Sequence, residues 1–298
     1  MTEDNIIYRS SAQAGMLLLP ALAIMAVFLY YPTVETLRLS FFQTFLFGQK
    51  TTYVGGENFV KLLTSEGYRQ SVVLSFVFAG IVIVGTLSVS LILSFLIHRA
   101  TRGKRLYLIA SIWPFAIPTA VAGMVFLFLA HPRIGVYTRF LESVLGLEVN
   151  WFASGAQALV VVALATIWKQ LGFNIVFLLA ALNNLPESLV ESAKLDGVGP
   201  VKMLLRVYMP LISPTLVFLL VMNTIYSFFG SFAFVDLMTG GGPNGMTNIL
   251  IFKLYQDAFA YDNLGLASAQ SIVLFALVAV LTIVQLRITD RYAYYGGA

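Results

Sequence analysis

Asn183-Asn184-Leu185-Pro186-Glu187-Ser188-Leu189-Val190-Glu191-Ser192-Ala193-Lys194-Leu195-Asp196-Gly197 is a polar island between two long apolar runs, near 156–182 and 208–232. Each run has the roughly 20 residues that a helix needs to cross hydrocarbon. The island and its continuation to Pro210 read as two short helices outside the membrane. Pro186 and Glu187 suit a first turn, where proline forfeits no needed hydrogen bond and an acid meets the positive helix end. Leu185, Leu189 and Ala193 fall at i, i+4 spacing and predict one apolar face. Gly197 can take the left-handed conformation that ends a helix. Pro200 suits the start of the next helix, and Pro210 and Pro214 lead into the following run. A short amphipathic helix of this kind is either a docking element or a lipid-facing interfacial helix; its own residues leave both readings open.

Outward from the island, four more apolar runs lie near 12–31, 71–98, 105–130 and 268–288. The apolarity is continuous and does not alternate, which predicts helices and not a β-barrel. The expected fold is an all-α membrane protein, one transmembrane domain of six helices over 1–298, with a surface loop near 183–207. The connections near 32–70 and 233–267 are long enough for short surface helices. Composition agrees. Of 298 residues 59% are hydrophobic and 11% charged, against roughly 25% charged in soluble domains, and mean hydropathy is +0.85. Net charge is +4, which in this class speaks of loop topology and not of nucleic acid. The absence of cysteine excludes disulfides and thiolate chemistry.

The first nine residues contain Glu3, Asp4 and Arg9, and the run after them lacks a small-residue cleavage site, so it reads as a first span and not a cleaved signal. Bases are dense in the link holding Arg99, Arg102, Lys104 and Arg105, in the link holding Lys194, Lys202 and Arg206, and in the tail with Arg287 and Arg291. Cytoplasmic loops collect such bases. Both termini and the 183–207 loop are therefore expected in the cytoplasm.

The island resembles the EAA loop of permease subunits in bacterial and archaeal ABC importers. That motif has Glu-Ala-Ala, three residues, Gly, nine residues, then Ile-x-Leu-Pro. Glu191-Ser192-Ala193 is followed by Asp196-Gly197 and, at the family spacing, by Val207-Tyr208-Met209-Pro210. Ser192, Val207 and Met209 depart from the pattern by small or size-conserving changes. Trp113-Pro114-Phe115-Ala116-Ile117-Pro118, Thr239-Gly240-Gly241-Gly242-Pro243 and Gly265-Leu266-Ala267-Ser268-Ala269 are similar to segments of permeases serving sugars and polyols. Trp168-Lys169-Gln170 and Ser268-Ala269-Gln270-Ser271-Ile272-Val273-Leu274 look most like the A-type permeases of glycerol-3-phosphate importers.

The resemblance implies a non-catalytic subunit of the inner membrane. It would work with a second homologous permease, a different chain if the A-type likeness holds. Its other partners would be two ATPase subunits, an extracytoplasmic solute-binding protein and the bilayer. The chain would bind no cofactor, and ATP would be used by the partner ATPases. The coupling residues would be Glu187, Glu191, Ser192, Ala193, Asp196, Gly197 and Pro210, with Glu191 a polar anchor on the ATPase. The solute would be glycerol-3-phosphate or a glycerophosphodiester, or alternatively a sugar such as maltose.

Polar groups inside spans are costly and face protein or a cavity. Lys169, Asn174, Asn223 and Ser227 are candidates for the solute path. The competing reading is structural: a lysine satisfied by carbonyls or a partner acid, and amides and hydroxyls that tie helices together. Gln170 and Asp236 belong to the same polar set. A secondary transporter would show related, broken-helix halves, and none is evident. His98 and His131 lie at opposite span ends, which rules out a shared metal, and no His-Glu-x-x-His or Gly-x-Ser-x-Gly occurs.

Overall fold

The structure is a computed structural model that describes residues 11–45 and 50–289. It is mostly helical. Five helices are long and apolar enough to cross a membrane, and a bent helix pair makes a sixth if counted as one span. The chain divides into two compact units, residues up to Thr64 with Leu254–Val273, and Ser65–Lys253 with the residues from Leu274 on.

The first unit contains α1, Gly15–Leu39, which runs eight residues past the predicted end of the first span at 31. Pro32 does not end it, because it sits in the first turn of the segment after a π-helical stretch, Ala26–Tyr30. The most apolar stretch of α1 contains no buried residue. A hairpin follows, β1 (Phe42–Phe45) against β2 (Lys50–Tyr53), in antiparallel register with Phe42 opposite Tyr53. It was not expected from sequence, since four-residue strands carry too little alternation to register. The helix Glu57–Thr64 (α2) docks on it through the Asn58 side chain, which donates to the carbonyls of Ser40 (2.9 Å) and Phe42 (3.0 Å). Within the same unit the buried Gln270 amide donates to the Asp257 carboxylate.

The second unit is built on α3, Glu66–Arg99, whose N-terminus is capped by Ser65. After it come α4 (Lys104–Ala116), α5 (Thr119–Leu129), α6 (Val136–Leu145) and α7 (Gly155–Asn183). Next are the short α8 (Glu187–Leu195), a helical run at 200–211 with a π-helical centre at Met203–Tyr208, and α9, Ser213–Met238. The short helix α10, Leu250–Tyr255, and the long α11, Leu264–Thr289, are divided between the two units and complete the order. The predicted span 208–232 is shifted to Ser213–Met238 because the chain breaks at Ile212 (φ −95°, ψ 11°) and restarts with Pro214 in a first turn.

The core lies between α3 and α7. Ser71, Ser75, Ala79, Thr86, Ser90 and Ser94 put a row of small buried side chains on α3, the means by which membrane helices approach closely without a hydrophobic drive between them. Ser75 also accepts the Leu250 amide at 2.8 Å and so ties the start of α10 to α3. Phe78, Val82, Phe126, Trp151, Val162 and Phe234 form the centre of the larger hydrophobic cluster.

The predicted span 105–130 is not one straight helix. It breaks between Ala116 and Thr119, and its halves are bent by 103°. Pro118 explains the break: it donates no amide hydrogen and forces Ile117 into the extended region, at φ −74° and ψ 136°.

Candidate functional site

The polar island folds as predicted into a short helix and a second helical run. Helix α8 ends in a left-handed glycine: Gly197 has φ +72°, and the Val198 amide returns to the Ala193 carbonyl at 3.2 Å. This is the six-to-one bond of a Schellman ending. A Cβ at Gly197 would meet no atom within 4 Å, so the glycine is required by backbone conformation and not by contact within this chain. Pro200 opens the next run behind Gly199.

The face of α8 differs from the expected one. Leu185, Val190 and Ala193 pack against the cluster of Leu182, Met203, Leu204 and Tyr208, together with Val198 and Val207. Leu189 instead points outward, 47% exposed, and Leu195 is 89% exposed. The reason is the start of the helix: Leu185 precedes Glu187 and is outside helical register, so the inward stripe runs through Val190 and Ala193. Glu191, Ser192 and Asp196 are exposed, and the Ser192 hydroxyl donates to the Ser188 carbonyl at 2.8 Å. Glu187 is the first residue of α8. Pro210 is exposed near the end of the second run.

Behind α8 lies a cleft of about 580 Å³ lined by His98, Arg99, Asn183, Glu191, Pro200 and Tyr208, among others. His98, read from sequence as an interface residue, joins three elements here. Its Nδ1 is 3.0 Å from the Asn183 Oδ1 at the end of α7, and its ring meets Tyr208 edge-on at 5.8 Å. Sequence gave no signal for this junction, because the three partners are 85 and 25 residues apart in the chain.

The four intramembrane candidates are all buried and all partnered. Asn174 and Asn223 are fully buried and exchange side-chain hydrogen bonds, Asn223 Nδ2 to Asn174 Oδ1 at 2.7 Å and the reverse at 3.3 Å. Ser227 donates to the Asn223 carbonyl at 2.7 Å and begins a ladder that Ser231 continues. This seam joins α7 to α9 just where α9 passes through a π-helical stretch, Tyr226–Gly230. Lys169 is 6% exposed. Its Nζ donates to the Phe115 carbonyl at 2.6 Å and lies 4.8 Å from that residue's ring centroid. The Phe115 carbonyl is left without a helical amide by the Pro118 break, so Lys169 serves as a cationic cap on the C-terminus of α4. Gly172, one turn further along α7, permits this approach: a Cβ there would stand 2.9 Å from the Ile112 carbonyl oxygen.

Residues 88–294 match the family described as the binding-protein-dependent transport system inner membrane component. The chain belongs to this family. Among curated relatives, the sn-glycerol-3-phosphate transport system permease protein UgpA of Yersinia enterocolitica is 42% identical over 280 residues, covering 94% of this chain and 95% of the relative. The UgpA of Pectobacterium atrosepticum is 38% identical over 295 residues, 99% of this chain and 100% of that protein. A chain of a bacterial alginate ABC transporter, solved in complex with an alginate pentasaccharide-bound periplasmic protein, shares the fold. Its TM-score is 0.80 at 21% identity, with 94% of each chain covered. The family member described here is thus a multi-pass inner-membrane transport component of the sugar and polyol type, as the resemblances at 113–118, 239–243 and 265–269 led one to expect.

Proposed function

We propose that this chain forms half of the translocation path of an ATP-driven, binding-protein-dependent importer and passes sn-glycerol-3-phosphate or a closely related glycerophosphodiester. The observation that carries the solute is the near full-length identity to permeases named for sn-glycerol-3-phosphate. The role of α8 rests on its geometry. A helix with Leu189 and Leu195 exposed, Ser192 and Asp196 exposed among them, and a glycine-fixed ending leaves apolar and polar side chains free for a partner. That is the form of a helix seated in a groove of another protein, and the partner is an ATPase subunit in the cytoplasm. Glu187, Glu191, Ser192, Ala193, Asp196, Gly197 and Pro210 make up this coupling segment, with both termini on the same side by the density of nearby bases.

Closure of two ATPases on ATP would drive α8, and the cleft behind it would pass the motion to the ends of α3 and α7 through His98, Asn183 and Tyr208. Rigid rotation of packed helices is the ordinary way such a push becomes alternating access. Lys169, Asn174, Asn223 and Ser227 hold the moving helices together, because each has a hydrogen-bond partner within the chain. A second permease, a different chain, completes the path; α1, whose apolar core stretch buries nothing, supplies surface for it or for lipid. The chain carries no reaction and binds no cofactor of its own.

The test is stimulation of ATP hydrolysis. The chain, assembled with its partner permease, ATPase and binding protein in liposomes, is exposed to binding protein loaded with glycerol-3-phosphate, a glycerophosphodiester or maltose. Stimulation by the phosphate esters above the maltose level supports the reading. Stimulation by maltose alone overturns the solute, and none by any solute overturns the importer role.

A further inference from the structure

A second feature of the polar island lies on its membrane side. A groove of about 560 Å³ opens between α3 and α9, walled by Leu87 and Leu91 on one side and by Leu205, Met209, Leu216 and Leu220 on the other. The second wall becomes basic toward the surface. Lys202 and Arg206, both exposed, lie on the run that leads to Met209 and Pro210. Neither wall offers a counter-charge: no Asp or Glu occurs between Glu66 and Glu142, or between Asp196 and Asp236.

We infer that the groove is a binding site for an anionic glycerophospholipid of the bilayer, with an acyl chain along the leucines and the phosphate held by Lys202 and Arg206. An apolar groove at membrane depth is filled by hydrocarbon, and bases at the surface end favour a negative headgroup. A zwitterionic lipid would leave the cations without net compensation. A protein seated in the groove would bury two cations and would have to bring carboxylates of its own. The bound phosphate would rest on the π-helical stretch Met203–Tyr208, so lipid composition would act on the same segment that α8 joins to the core. The inference depends on the chain spanning a bilayer and not on the identity of its solute.

The full chain with its co-purifying subunits is placed in nanodiscs containing equal parts of photoactivatable phosphatidylglycerol and phosphatidylcholine, labelled distinguishably. Lipid adducts are then read on peptides from 85–99 and 200–220. The expected result is a preference for phosphatidylglycerol on the order of tenfold, falling to parity in Lys202→Gln/Arg206→Gln. Both residues are exposed, so this variant folds as the parent does. Leu216→Trp, which fills the groove, lowers labelling by either lipid. Equal labelling by the two lipids in the parent overturns the site, as does a preference that survives the double variant. Since the chain has no cysteine, a benzophenone on Ser88→Cys gives an independent reading: adducts with lipid are expected, and an adduct with a protein chain overturns the assignment.

Discussion

The Lys169 ammonium reaches 2.6 Å to the carbonyl oxygen of Phe115, across the gap between two helices 54 residues apart in sequence. A lysine in mid-membrane costs roughly 2.5–3.5 kcal/mol on insertion scales. Here the cost is offset by placing the charge at the negative end of a helix broken by proline, over an aromatic ring. Lys169→Met should leave that carbonyl unpaired and lower stability by about 1–3 kcal/mol. Thermal unfolding of the detergent-solubilised complex measures it. Transport should fall in the same proportion, with the KM for solute unchanged. A raised KM at unchanged stability would return Lys169 to the solute path.

The amide pair makes a separable prediction. Asn174→Leu or Asn223→Leu alone strands a buried amide, whereas the two together remove both polar groups. The singles should each cost about 1–2 kcal/mol, and the double variant should cost less than their sum. A double-mutant cycle on thermal stability gives the coupling. Strict additivity would mean that the hydrogen bonds between α7 and α9 contribute nothing.

Gly172 tests how closely α4 sits on α7. Its missing Cβ would lie 2.9 Å from both the Ile112 carbonyl oxygen and the Phe115 Cβ, so even alanine must push backbone. Gly172→Ala should destabilise by about 1–3 kcal/mol, and Gly172→Leu should prevent assembly, as seen by loss of the folded peak in size exclusion. Parent-like behaviour of the leucine variant would show that the α4 contact is dispensable.

Gly197 and Leu195 probe the coupling segment. Gly197→Val meets open space but strains a left-handed residue by roughly 1–2 kcal/mol, while Gly197→Asn tolerates that conformation. Uptake should fail with valine and largely persist with asparagine. Leu195→Glu and Glu191→Ala should weaken retention of the ATPase on the membrane fraction. Normal ATPase retention and uptake in all of these variants would remove α8 from the coupling role.

Much of this was legible in the sequence, for reasons of length and punctuation. Spans of twenty apolar residues have no other stable reading, and Pro186, Gly197 and Pro200 mark the ends of α8 and the start of the run after it directly. What was not legible depends on where a helix starts or stops. Leu189 faces outward because the first turn begins at Glu187, two residues after Leu185. The 103° bend at Ile117–Pro118 hides inside a run whose hydropathy never falters. The partners of Lys169 and His98 are set by packing between distant segments, which spacing along one chain does not encode. The row of small residues on α3 is visible once its period is sought, and it is the signal that could have placed α7 against α3.

Transport itself is the most direct measurement. The chain is reconstituted in proteoliposomes with its partner permease, ATPase and binding protein, and entry of labelled glycerol-3-phosphate is followed with and without ATP. Accumulation that requires ATP and binding protein, exceeds that of maltose and is abolished by Gly197→Val is the predicted result. Uptake that proceeds without ATP, or a preference for maltose over the phosphate ester, would contradict it.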